Sequence, residues 1–206
     1  MICIFAKPAV AGQVKTRLAA ALGADAAAQL ARAFLEDTID SVQALTWARA
    51  ALATTAPVEG DLPVLLQGEG DLGSRIERVL RAALQRAPVA MAIGADAPAL
   101  PSRLLESARA ALQDADVAIG PAEDGGFYLL ALRRCPEGLL RDVPWSSAET
   151  LRATVERLHS FGLRARILEP WFDVDRVEDL ERLRALIGEG TLRAPRTALV
   201  LAALGR

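Results

Sequence analysis

The feature that most constrains this chain is the alternation of short apolar runs with amphipathic stretches along its length. "ICIFA" (2–6) is almost continuously apolar, as a strand buried on both faces requires. "ADAAAQLARAFLEDTIDSVQAL" (24–45) sets Leu30, Phe34 and Ile39 near one face of a helix. The pattern then repeats. It predicts strands at 49–55, 88–100 and 164–170, and a strand–loop–strand at 116–132. It predicts helices at 70–87, 101–115 (capped by Ser102), 146–162 (started by serine, stopped by glycine) and 177–190. Strands alternating with helices predict a mostly parallel sheet with helices on both faces. No linker interrupts the 206 residues, so one domain over 1–206 is expected. Such sheets bind ligands beyond the carboxyl ends of their strands, at a switch point. The residues that follow each apolar run are therefore the ones to read for chemistry.

Composition removes several classes. A net charge of -2 and a pI near 5.6 leave no basic surplus, so no nucleic-acid partner is expected. Cys3 and Cys135, with His159 alone to help them, make neither a disulfide framework nor a zinc site, and are read as free thiols of a reducing cytoplasm. His159 lies mid-helix among polar residues and is read as surface, not as a general base. No segment approaches the roughly 20 apolar residues of a membrane span. The N-terminal run lacks the basic start of a signal peptide, so a cytoplasmic protein without a membrane partner is expected. The C-terminal "TALVLAALGR" is expected to be a core-packing helix.

The loop after the first strand, "AKPAVAGQVKTRL" (6–18), ends in Lys15-Thr16. A Walker A loop aligned there needs glycines at 9 and 14, where Ala9 and Val14 stand. The P-loop reading fails at both glycines, since a β-branched valine resists the backbone that wraps a phosphate. The loop still suits an anion, with Gly12 beside Lys7, Lys15 and Arg17. The plainer alternative is a solvated basic loop.

Acids stand at three later stations. Asp96 ends the run "VAMAIG", where a hard oxygen ligand suits Mg²⁺ or Mn²⁺ and where a turn-capping Asp is equally at home. "WFDVDRVEDL" (171–180) offers Asp173 and Asp175, on one side if extended, with Asp175 also a candidate helix cap. That D-x-D spacing fits a haloacid-dehalogenase phosphatase signature but comes too late in the chain, and it lacks the glycine and glutamate of an EF-hand. Asp124-Gly125-Gly126 forms a hairpin-like turn that could leave room for a sugar or phosphate. Gly73 and Arg75 in "GEGDLGSRI" (68–76) open a helix that could face a phosphate or base. Trp145 and Ser146 are read as an acceptor wall or a cap.

"FAKPAVAGQVKTRL", "GDLGSRI", "IGADAPALP", "GPAEDGGFYLLAL", "PWSSAETL" and "DVDRVEDL" occur in this order. Together they resemble the GT-A-fold nucleotide-diphospho-sugar transferases. The chain is most similar to the bacterial glycosyltransferase-like family that includes proteins assigned to arsenosugar biosynthesis. The 2-phospholactate and molybdenum-cofactor nucleotidyltransferases are more distant likenesses. The resemblance implies a three-layer α/β/α, Rossmann-like GT-A fold whose mixed sheet has one reversed strand. It implies that Lys7, Gly12, Lys15 and Arg17 lie near nucleotide phosphates, that Asp96 and Asp175 face a Mg²⁺ or Mn²⁺ ion with Asp173 close by, and that Asp124, Gly125 and Gly126 line the sugar or acceptor side. Lys15, Asp96 and Asp124 are the expected catalytic residues. Departures from the family pattern are Ala11 before Gly12, Ala95 and Ala97 around Asp96, and Arg176-Val177 after Asp175. The expected activity is metal-dependent glycosyl transfer from a nucleotide-sugar to a small-molecule acceptor. Nucleotidyl transfer from a nucleoside triphosphate, or nucleotide-sugar binding without turnover, are the alternatives. The sequence leaves a homodimer open.

Overall fold

The computed structural model describes residues 1–58, 60–98 and 100–205. Glu59, Ala99 and Arg206 lie outside them; the last two fall within sequence runs read above. Among the described residues, seven strands form one sheet in the order β3-β2-β1-β4-β6-β5-β7. They are β1 (Ile2–Ala6), β2 (Ala50–Thr54), β3 (Val64–Leu66), β4 (Ala90–Gly94), β5 (Val117–Pro121), β6 (Phe127–Leu132) and β7 (Ala165–Ile167). All neighbours pair parallel except β6, which runs antiparallel to both β4 and β5. The mixed sheet with one reversed strand is the fold expected from the sequence.

Side chains along the strands alternate between two cores, as a period of two demands. Cys3, Ala51, Ala53, Ala92, Ile119, Leu130 and Leu132 face one side, against α3 (Leu72–Leu84) and α5 (Thr150–Ser160). Ile2, Ile4, Ala50, Met91, Ile93, Leu129 and Ala131 face the other, against α4 (Ser102–Ala111) and the end of α2 (Ala24–Gln43). These are the three layers. A third cluster joins the two ends of the chain. Leu18 of α1 (Thr16–Leu22) and Leu30 and Phe34 of α2 pack on Phe172, Val174, Leu183 of α6 (Val177–Gly188) and Leu201 of α7 (Pro195–Leu204). The C-terminal stretch is thus a core-packing helix as expected, although Leu199 on its outer side is 73% exposed. No helix among the described residues is long and apolar enough to cross a membrane.

Several local expectations needed correction. β3 and α1 were missed: β3 is three residues long, and α1 begins inside the basic loop. Ser102 does not cap α4, because Pro101 holds the cap position and no side chain bonds there. The helix expected from 146 starts at Thr150, with the Thr150 hydroxyl bonded to the Pro144 and Ser147 carbonyls. Asp175 does not cap α6. The Asp179 carboxylate instead accepts the backbone N–H groups of Asp175 (3.0 Å) and Arg176 (2.8 Å). That substitution of caps leaves the Asp175 carboxylate free for other work.

Candidate active site

The chain leaves β1 toward β2 on one side, and returns from β3 by way of α3 to β4 on the other side of β1. The carboxyl ends of β1 and β4 therefore flank the switch point, where an open α/β sheet forms its crevice. The Ala95 N–H donates to the Phe5 carbonyl (3.1 Å), closing the two tips on each other. The loop with Lys7, Gly12, Lys15 and Arg17 leaves one tip; Asp96 stands just beyond the other.

A third segment completes the site. Residues 171–175 run beside the end of β5, where Trp171 bridges Ala122 in parallel. The Val174 N–H then donates to the Asp96 carbonyl (2.9 Å). Val174 is fully buried between two partly exposed acids, so the hydrophobic cluster below fixes Asp173 and Asp175 against Asp96.

Lys15 is the centre of the arrangement. Its ammonium lies 2.7 Å from Asp96 Oδ1 and 2.9 Å from Asp175 Oδ1, and donates to the Val174 carbonyl at 2.8 Å. Those three partners use all three of its donors. Its side chain is only 5% exposed. Burial alone would push the ammonium down, but Asp96 and Asp175 outweigh it and hold it above the ordinary lysine value. Its backbone is left-handed (φ 46°, ψ 46°), a costly conformation for a residue with a Cβ. Arg17 is exposed, with one nitrogen 3.6 Å from Asp175 Oδ2. Lys7 is exposed, and Gly12 takes φ +79° with open space around its Cα.

Asp173 is the acid of the cluster for which the charged form is disfavoured. Burial first, then Asp96 and Asp124, push its carboxyl up to about 7, with Lys15 pulling the other way. Asp124 sits at the tip of the β5–β6 hairpin and accepts the Gly126 N–H (2.9 Å). Gly125 has φ +92°, and a Cβ there would lie 2.5 Å from the Ala148 Cα. The "PWSSAE" loop is thereby nested directly on the hairpin tip, with the Leu151 N–H donating to the Gly125 carbonyl (2.9 Å). Asp96, Asp124, Asp173 and Asp175 are thus gathered at one place around Lys15 and Arg17.

Gly73 and Arg75 have other surroundings. Gly73 lies inside α3, where a Cβ would meet the Leu140 carbonyl at 2.6 Å and the Trp145 ring at 3.0 Å. Arg75 Nε donates to the Gly70 carbonyl (2.9 Å). Trp145 packs edge-on against Phe127, beneath the hairpin. Gln67 escaped the sequence reading. It is buried just after β3, and its amide donates to the Ala53 (2.9 Å) and Ala6 (3.3 Å) carbonyls, tying the tips of β2 and β1. A polar residue ending an apolar triplet was the available signal.

The acids are hard oxygen donors in excess of their cations, which is the donor chemistry of Mg²⁺ or Mn²⁺. As arranged, however, no group of three or more His, Cys, Asp or Glu among the described residues is set to hold a metal ion. The Lys15 ammonium lies between the two carboxylates best placed to do so.

Residues 26–147 match the family described as uncharacterized protein conserved in bacteria (DUF2064). A crystal structure of a protein described as a candidate nucleotide-diphospho-sugar transferase, from Desulfovibrio desulfuricans G20, superposes with a TM-score of 0.87. Its identity is 31%, over 98% of this chain and 95% of that one. The chain belongs to the DUF2064 family. Its fold is that of the nucleotide-diphospho-sugar transferases. More distant structures share the DUF2064 chain's architecture alone. CMP:2-keto-3-deoxy-manno-octonic acid synthetase, solved with CTP, gives a TM-score of 0.58 at 16% identity, covering 92% of this chain and 98% of that one. The 2-C-methyl-D-erythritol 4-phosphate cytidylyltransferase of Thermus thermophilus gives 0.52 at 18%, covering 90% and 97%. These solved relatives are named as transferases or synthetases. No curated protein matches the sequence.

Proposed function

We propose that the protein is a transferase that moves a glycosyl group from a nucleotide-sugar to a small-molecule acceptor, with Mg²⁺ or Mn²⁺ as its metal. One observation carries the reading: a basic loop and a surplus of carboxylates meet at the switch point of the sheet. A phosphate-bearing ligand is repelled by bare carboxylates, and a divalent cation between them turns repulsion into attraction. Asp96, Asp175 and Asp173 would hold that ion. When bound, it would neutralise charge on the departing nucleoside diphosphate.

The chain's own residues do the rest. Exposed Lys7 and Arg17 reach the phosphates as cations, with Gly12 leaving room for them. Asp124, on a tip held rigid by Gly125 against Ala148, accepts a hydroxyl of the sugar or the acceptor. Gln67 holds the strand tips at fixed spacing, so the basic loop meets the acids in one geometry.

Nucleotidyl transfer is the second reading. It is favoured by the cytidylyltransferase architecture and uses the same parts, with pyrophosphate leaving and the nucleotide moving to a phosphorylated acceptor. Calorimetry with nucleoside triphosphates and nucleotide-sugars, each with and without Mn²⁺, separates them. Metal-dependent binding of one nucleotide-sugar, with weak triphosphate binding, supports glycosyl transfer. Preference for a triphosphate moves the assignment to nucleotidyl transfer. Nucleotide-sugar binding without turnover under any acceptor leaves a binding protein, and no nucleotide binding at all overturns every version.

A further inference from the structure

The C-terminal helix α7 leaves open much of what its composition would bury. Of its ten residues only Arg196 and Thr197 are polar, yet only Thr197 and Leu201 are buried. Leu199 is 73% exposed, and Ala202, Ala203 and Leu204 are exposed with it. A helix that is apolar all round is normally covered all round. α7 runs antiparallel to α2, with Thr197 bonded to Asp37 and Leu201 clustered with Leu30 and Phe34. An open groove of about 650 Å³ lies along the pair, lined by Asp25, Ala28, Gln29 and Arg32 of α2 and by Leu199 and Val200 of α7. Ala9 and Ala11 of the basic loop also line it, and Val10 between them is 45% exposed.

The charges on this face point to its cover. Asp25 and Arg32 are both exposed, and among the described residues neither has an ion-pair or hydrogen-bond partner. They stand two turns apart on one face of α2, with Ala28 and Gln29 between them. Glu36, the other acid of the groove, is already bound to Arg196 at 3.1 Å. A two-fold axis crossing α2 at Ala28 and Gln29 sets Asp25 of one copy opposite Arg32 of another, and the same rotation repeats the pair in reverse. The small Ala28 side chain lets two such helices approach closely at the axis. We propose that a second copy of this chain docks on the α2–α7 groove, α2 antiparallel to α2, with Asp25 and Arg32 paired reciprocally. The exposed Leu199 of each copy then packs against the other. The face has the size for this. α2 is about 30 Å long and the helix pair about 20 Å wide, so each copy covers about 600 Å². A total near 1,200 Å² is at the low end of specific interfaces, so the dimer should dissociate on dilution, as a permanent one would not. Docking also braces the loop between Lys7 and Lys15 from outside the crevice. It holds whether or not the site performs a transfer.

Sedimentation velocity of the full chain over a dilution series reads the state directly. A dimer that dissociates on dilution is expected. A monomer at every concentration overturns the proposal and leaves the groove to a different occupant. Arg32→Asp, exposed and mid-helix, should weaken the dimer at least about tenfold, because it sets acid against acid at both contacts. Asp25→Arg should do the same by setting arginine against arginine. It also removes an acid from the first turn of α2, so its Tm is followed alongside. Mixing the two variants is the decisive step. Each alone should dimerise poorly, but together they should form a heterodimer of wild-type strength, since the arginines of one chain then face the aspartates of the other at both contacts. A mixture no stronger than either variant alone overturns the pairing. A dimer indifferent to both substitutions lies on another surface and overturns it as well. Leu199→Glu should separate the copies without altering either charge, and a dimer that survives it excludes this face.

Discussion

One buried acid and one acid cluster in this molecule are built on opposite principles. Asp37, on α2, is almost fully buried, and both of its oxygens are spoken for. Oδ1 accepts the backbone N–H of Arg196 (3.1 Å) and Oδ2 that of Thr197 (2.8 Å), at the first turn of α7. One carboxylate meets two orphan donors of a helix end, and nothing is left over. At the switch point, four carboxylates gather; Asp96 and Asp175 pair with Lys15, a more distant Arg17 reaches Asp175, and Asp173 is pushed up to about 7 by its burial first and then by Asp96 and Asp124. A buried acid that is fully bonded stabilises the fold. A group of acids with charge to spare stores repulsion, which a ligand or ion can relieve.

The sharpest way to break this comparison is to change one acid of each kind. Asp96→Asn should lower transfer activity at least about 10³-fold, measured on the substrate identified by calorimetry. Its unfolding midpoint should hardly move, since Lys15 keeps Asp175 and Val174 as partners. A variant that keeps its activity would remove Asp96 from the site. Asp37→Ala should do the reverse. It strands two buried N–H groups and should cost about 3 kcal/mol in urea unfolding, with activity per folded molecule preserved.

Asp173→Asn should stabilise the metal-free protein. The folded carboxyl titrates near 7, above its ordinary 3.8, so its contribution is fully present below about pH 3.8 and is lost as pH rises through 7. The gain from asparagine should therefore grow from pH 4 and level off above 7, reaching about 4 kcal/mol at pH 8. A gain that is flat with pH would mean that Asp173 ionises normally. The smallest effect belongs to an acid of neither kind. Glu169 is exposed and paired to Arg103, and Arg103→Ala should shift the thermal midpoint by under about 2 °C.

The legible parts of the molecule were those that periodicity or strand position dictates. The layers were readable because apolar runs such as 2–4 and 90–93 belong in a core, and both are buried. Asp96 and the Asp173–Asp175 pair could be singled out because each follows such a run. What was not legible depends on partners far away in sequence. Lys15 reads as a free phosphate-binding cation, yet its bonds go to residues 174 and 175, about 160 positions on. Asp175 reads as a cap until Asp179 takes that role. Gly73 reads as a ligand-facing glycine, but its missing Cβ makes room for Trp145 and the Leu140 carbonyl. β3 was too short for any pattern to declare it.

The cluster that joins the chain's two ends also fixes an order of events. Leu30 and Phe34 leave a ribosome about 140 residues before their cover, which runs from Phe172 to Leu201. Until that cover is made, this face of α2 has no native partner and is open to chaperones or to neighbouring nascent chains. Asp173 and Asp175 arrive with the same late segment, so no partly made chain can carry an assembled site. The acid cluster comes into being only as α6 and α7 dock on α1 and α2.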